Sequence, residues 1–229
     1  MFYDAQALLA IIDANKWAVL AGGGIAMIFN YIFFWEAGRS AMRDNSPAFP
    51  LIACTIWFAH DLSFVLKYGE WFGVYDHWYL KLFWVGLIPT TCFEAFYTWQ
   101  AWRYGREEFH PTATPQQWTG YVFGTVAVAC LAWWAMKQAL DDPLYTWSFA
   151  TSGALAAFFC LARAVRRGDT AGQSALMWWA YCAMTTTWFV CEYVVFGGMF
   201  RHPLFVGMGV ASVVCGVIMA RKCAARAAA

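Results

Sequence analysis

Seven apolar stretches, at about residues 17–37, 48–68, 79–101, 117–138, 144–164, 174–197 and 204–220, constrain this chain of 229 residues more than any motif in it. Each is close to the roughly 20 residues that a helix needs to cross a bilayer. Hydrocarbon offers no partner to a free backbone N–H or C=O, so such stretches fold as helices. The links between them are too short to hold another domain. The expectation is an all-α polytopic membrane protein, a single seven-helix transmembrane domain over residues 1–229, with the lipid bilayer as its first partner. Composition agrees, since 62% of the residues are hydrophobic and only 13% charged, far from the usual soluble profile. A net charge of +1 and the lack of any recognition motif exclude nucleic acid as a partner.

Orientation follows from the basic residues. One side of the seven spans holds Arg39, Arg43, Arg103, Arg106, Arg163, Arg166, Arg167, Arg221, Lys222 and Arg226; the other holds Lys16, Lys67, Lys81, Lys137 and Arg201. This alternation predicts an N-terminus outside and a C-terminus in the cytoplasm. The membrane is the bacterial cytoplasmic membrane or, in a eukaryote, that of the endoplasmic reticulum. The first residues, with Asp4 and Asp13 and no basic segment, read as a short amphipathic lead-in that is retained. The cysteines lie mostly in apolar runs without C-x-x-C spacing and read as small buried hydrophobes.

Local signals place the boundaries. Asn45-Ser46-Pro47 and Asp141-Asp142-Pro143 are expected to end one helix and begin the next. Pro89 should kink the third span and open space beside it. Gly22-Gly23-Gly24, Gly207, Gly209 and Gly216 read as close-approach faces between helices. Trp17, Trp71, Trp78, Trp118 and Trp147 read as interfacial belts.

Acids within apolar runs are the functional signal, because an unpaired charge in hydrocarbon costs several kcal/mol. Glu36 has Arg39 three residues on and reads as an interfacial ion pair. Asp61 and Glu192, counted from the outer ends of their spans, lie about 10 Å deep and are expected to face one another. Glu94 lies about 20 Å in, at the floor of the same cavity or in a separate cluster. Such acids either fix helices by hydrogen bonds or line a functional cavity, and two at matching depth favour the cavity. His60 points about 100° away from Asp61 and is expected to bond a neighbouring helix. Trp57, Phe93, Tyr97, Trp188 and Tyr193 flank the acids; acids and π faces in a dry cavity can donate a proton and then stabilise a carbocation.

Two segments resemble the small seven-helix membrane terpene cyclases of fungal meroterpenoid and indole-diterpene pathways and their bacterial relatives. They are YIFFWEAGRSAMRDNSPAFPLIACTIWFAHDLSF and LKLFWVGLIPTTCFEAFYTWQAWRYG, residues 31–64 and 80–105. The family carries a second-helix Glu after Asn-x-x-Trp; the matching stretch here, Thr55 to Asp61, carries Asp61 instead. Glu94 and Tyr104-Gly105 match the third helix. The family's other acid lies near the last helix, where this chain has none, and Glu192 takes that role. The resemblance implies a cyclase of a hydrophobic prenylated substrate. Asp61 protonates an epoxide or alkene, Glu192 holds or replenishes the proton, and Glu94 tunes the cavity or deprotonates. Trp57, His60, Phe93, Tyr97, Trp188 and Tyr193 form the substrate-binding wall. No cofactor or metal is implied, since the chain lacks a D-D-x-x-D cluster, and a homo-oligomer is left open. The alternatives are a proton-coupled transporter or channel, a lipid-binding scaffold and a retinal protein; the last would need a lysine within residues 204–220, where there is none.

Overall fold

The computed structural model describes residues 3–228 and contains no strand among them. A short amphipathic helix, α1 (Ala5–Ala14), precedes α2 (Lys16–Asp44), α3 (Leu51–Val65), α4 (Trp78–Tyr104), the single turn α5 (Arg106–Phe109), α6 (Pro115–Ala139), α7 (Thr146–Arg167), α8 (Ala175–Cys191) and α9 (Pro203–Ala228). A helix thus stands at each of the seven apolar stretches. Four of them, α2, α6, α7 and α9, are by themselves long and apolar enough to cross a membrane. α3 and α8 are shorter, and each is followed by a π-helical turn, Glu70–Val74 and Glu192–Phe196.

Chemistry at the helix ends explains the boundaries. Thr114 and Gln117 form a reciprocal capping box at the start of α6, with Pro115 in the first turn, worth about 1 kcal/mol. Asn45 ends α2 in the left-handed conformation, which Asn tolerates better than most residues. The helix after it is not capped from Ser46: α3 begins at Leu51 behind Pro50, with no side-chain cap. Asp142 acts from further away than expected, accepting from the Ser148 amide at 2.8 Å in the first turn of α7.

Small residues let helix backbones approach closely. A Cβ at Gly209 would stand 2.5 Å from the Phe189 ring, and one at Gly216 2.7 Å from Cys182 Sγ. These two glycines, with Gly22 against Cys191, are the close approaches expected, whereas Gly23, Gly24 and Gly207 face open space. Rings fill the interior in two clusters. One holds Phe33, Phe49, Trp57, Tyr97, Trp178 and Tyr181; the other holds Phe64, Trp71, Leu80, Phe83, Phe196 and Phe200. Trp71 and Trp118, expected in interfacial belts, are buried, while Trp17 is exposed.

At the arginine-rich end a charge cluster ties α5 to α7 and to the α2–α3 link. Arg163 donates from Nε and Nη2 to the two oxygens of Glu108, both at 2.7 Å, and from Nη1 to the Pro47 carbonyl at 2.5 Å. Arg166 and Arg167 complete the shell at 3.1 and 2.7 Å. Glu36 pairs with Arg39 at 3.0 Å, as the spacing predicts.

Candidate functional site

A small cavity lies where the two ring clusters meet, walled by Phe33, Phe34, Trp57, Phe149, Tyr181, Trp188 and Phe189. Only a few polar side chains line it, chiefly Asn30, Asp61, Thr90, Glu94 and Thr185. Its free volume is about 60 Å³, less than the ~150 Å³ that accommodates a benzene.

Asp61 and Glu94 are the acids that the bundle brings together. Asp61 projects from α3 and Glu94 from α4, both essentially shut off from solvent, and they are electrostatic neighbours that line the same cavity. Thr90, one turn before Glu94, places its hydroxyl oxygen 2.5 Å from Asp61 Oδ2 and 2.9 Å from the Leu87 carbonyl. A hydroxyl has one hydrogen and two lone pairs. Thr90 either donates to an ionised Asp61, or accepts from a protonated Asp61 and donates to Leu87. The heavy atoms satisfy both protonation states without moving. Glu94 Oε2 is buried with no partner.

Glu94 therefore belongs to the Asp61 cluster and is not a separate group deeper in the bundle. The depth count failed because the chain leaving α3 does not turn back at Tyr68. It runs on through the π-helical turn Glu70–Val74 before α4 begins at Trp78, so residue 68 is not the end from which the position of Asp61 can be counted. Glu192, by contrast, does not line the cavity. It begins the second π-turn, and the rings of Trp188, one turn earlier, and Phe149, 4.7 Å apart at their centroids, stand at the cavity wall. The residue is 1% exposed and neither carboxyl oxygen has a hydrogen-bond partner. Tyr79 and Asp142 are among its electrostatic neighbours.

His60 turns to its own neighbour, not to another helix. Nδ1 lies 2.7 Å from Asp61 Oδ1, because two side chains that leave a helix 100° apart can still meet at their tips. The ring sits outside the cavity lining, in a box made by Trp133, Tyr145 and Phe149 at 4.8, 5.7 and 5.7 Å, and Nε2 has no partner.

The expected aromatic wall is met in part. Trp57 and Trp188 line the cavity. Tyr97 is occupied elsewhere, donating to the Phe34 carbonyl at 2.6 Å inside the ring cluster. Phe93 packs on Phe34 and Tyr97 and is not part of the lining. Tyr193 is 45% exposed, with Arg201 over its ring, and faces away from the site. Sequence reasoning missed Thr90 and the rings of Phe33, Phe34, Phe149 and Tyr181. Thr90 was findable: it precedes Glu94 by four residues, one helical turn, on the same face. The rings were not, since nothing in their spacing distinguishes a cavity wall from ordinary core.

Among the described residues, no three His, Cys, Asp or Glu side chains form a metal-binding group. Comparison with protein-family models, with curated proteins and with solved structures finds no match to this chain.

Proposed function

We propose that the chain is a seven-span integral membrane protein, its N-terminus outside and its arginine-rich end in the cytoplasm, acting as a protonation-initiated terpene cyclase on a prenylated substrate. In this reading α3 and α8 complete their crossings with the π-turns that follow them, and α4 makes up the seventh span. The observation that carries the activity is the Asp61–Thr90–Glu94 arrangement. In this reading the two carboxyls of one apolar cavity share a proton, and Thr90 is arranged to suit Asp61 before and after that proton leaves.

The chemistry conserves atoms and needs no redox step. The shared proton passes from the carboxyl pair to an epoxide oxygen or an alkene carbon. With an epoxide, the C–O bond then breaks and leaves a carbocation. Neighbouring alkenes attack in turn, each forming a C–C bond and passing the charge along the chain. The faces of Phe33, Phe34, Trp57, Phe149 and Trp188 stabilise that charge, each by roughly 0.5–2 kcal/mol. The carboxylate left by the pair removes a proton from the carbon beside the last cation, producing an alkene and restoring the acid. Glu94 takes the proton-holding role first expected of Glu192.

The test is conversion of a panel of prenylated epoxides and polyenes by membranes carrying the protein. A cyclised isomer made by the wild type and absent with folded Asp61→Asn supports the reading; unchanged product from that variant overturns it. A proton-coupled transporter is the second reading, favoured by the continuity of Glu94, Asp61 and His60. It predicts uptake into sealed vesicles that collapses with the pH gradient.

A further inference from the structure

The acid cavity is far too small for the substrate that the cyclase reading requires. Small-molecule sites typically measure about 300–1,000 Å³, against about 60 Å³ here. A volume of the right size lies next to it. α6 and α7 are consecutive but part company: α6 packs on α3 and α4, and α7 on α3, α8 and α9. The cleft left between them, floored by α3, measures about 650 Å³ and is almost wholly apolar, with Ile56, Gly124, Val128, Met136 and Leu155 among its lining. A Cβ at Gly120 or Gly124 would meet nothing within 4 Å, so these glycines widen the cleft without supporting a helix contact.

Cleft and cavity share a wall. Ser152 lines both, and Ile56 lines the cleft while its neighbour Trp57 lines the cavity. The indole of Trp57 donates to the Ser152 carbonyl at 2.8 Å, a bond within the wall that separates cleft from cavity. At its other end the cleft shares Trp133 and Leu140 with a polar recess of about 590 Å³ lined by Ser63, Lys67, Glu70 and Lys137. Polar recess, apolar cleft and acid cavity thus adjoin in turn, and one of the two acids has an unpartnered oxygen.

We propose that the α6–α7 cleft is the lateral doorway through which the isoprenoid chain of the substrate passes from the bilayer to Asp61 and Glu94, with Trp57 as the door. The inference rests on the cyclase reading for the identity of the chain, and on continuity between cleft and cavity for the route. The polar recess holds the head of the substrate while its chain occupies the cleft. Rotation of the Trp57 indole off Ser152 joins the two volumes.

The experiment uses the full chain in phosphatidylcholine nanodiscs and two probes, a farnesol and a palmitate that each carry a chain-end diazirine, with labelled residues read by mass spectrometry. The farnesyl probe is expected to label the cleft and, across the wall, Ala154, Ala156 and Met184 of the cavity lining. Gly124→Trp should lower cavity labelling about tenfold by filling the cleft. Val128→Trp, at a position 65% exposed, should do the same where Gly124→Trp fails to fold. Val165→Trp, at an exposed position near the arginine-rich end of α7 and away from the cleft, should change nothing. Trp57→Phe, which keeps a ring and loses the N–H, should raise cavity labelling. Cavity labelling indifferent to the cleft variants, its absence even in Trp57→Phe, or equal cavity labelling by palmitate would each overturn the proposal. Labelling does not depend on turnover, so its failure is separable from that of the cyclase reading: Asp61→Asn should still be labelled, whatever it converts.

Discussion

At the arginine-rich end, Glu108 takes hydrogen bonds from three arginines, and the most buried of these, Arg163, also reaches the Pro47 carbonyl and the Ser46 hydroxyl. In the middle of the bundle, Asp61 and Glu94 meet with no Lys or Arg among the residues around them, and Glu94 Oε2 and His60 Nε2 are left without partners. Both clusters bury ionisable groups, but the first pairs its carboxylate with three arginines, whereas the second offers Asp61 only His60 and Thr90 and leaves one Glu94 oxygen unpartnered. A saturated cluster has nothing left to exchange and acts as a clamp. An unsaturated one carries a cost, about 1–3 kcal/mol for a buried polar atom without a partner. In the proposed reading, Arg163 and Glu108 are structural and Asp61 and Glu94 carry the chemistry.

That contrast can be broken by substitution, and the largest effect is expected at the acids. Glu94→Gln should lower turnover by about 10²–10⁴, the usual contribution of a general acid, while the melting temperature stays near that of the wild type. A large loss of stability with no loss of turnover per folded molecule would make the pair structural. Arg163→Met should do the reverse: a loss of about 3–5 kcal/mol from a buried pair broken on one side, read by unfolding in mild detergent, with turnover per folded molecule preserved. Trp188→Leu removes one π face from the cavity wall and should cost about 5–30-fold in rate, whereas Trp188→Phe should recover most of it.

Acid pH sharpens the same division. Burial opposes ionisation of Glu108, but the hydrogen bond and charge of Arg163, with Arg167 and Arg166, hold its carboxyl below its ordinary value of 4.5. A depressed carboxyl contributes stability that is complete above its unfolded value and is lost as pH falls through the folded one. Unfolding midpoints should therefore be flat above about pH 5 and fall below about pH 4.5, and Glu108→Gln should blunt the fall. The smallest effect is expected at exposed Tyr193: Tyr193→Ala should change stability by no more than about 0.5 kcal/mol and leave conversion unaltered.

Much of this architecture was legible in the sequence. Runs of about 20 apolar residues specify helices because hydrocarbon leaves the backbone no alternative, and the Glu36–Arg39 pair followed from spacing alone. Asp61 was legible for the same reason, as a carboxylate where none is cheap. Its partner was harder to read. Depth counted at a fixed rise per residue assumes a uniform α-helix ending where the apolar run ends, and both π-turns violate that assumption. The count consequently left open whether Glu94 shares a cavity with Asp61, and it paired Asp61 with Glu192 instead. The rings behaved similarly: Trp57 and Tyr97 are each one turn from an acid in the sequence, but only rotation and neighbouring helices decided that Trp57 lines the cavity while Tyr97 bonds Phe34.

The claim beneath the whole account is that Asp61 and Glu94 hold one proton between them, and infrared spectroscopy of the protein in membranes at neutral pH measures this most directly. The account predicts a protonated-carboxyl C=O stretch that disappears or shifts in both Asp61→Asn and Glu94→Gln and persists in Glu192→Gln. A spectrum in which neither substitution at the pair alters a protonated-carboxyl band would contradict it.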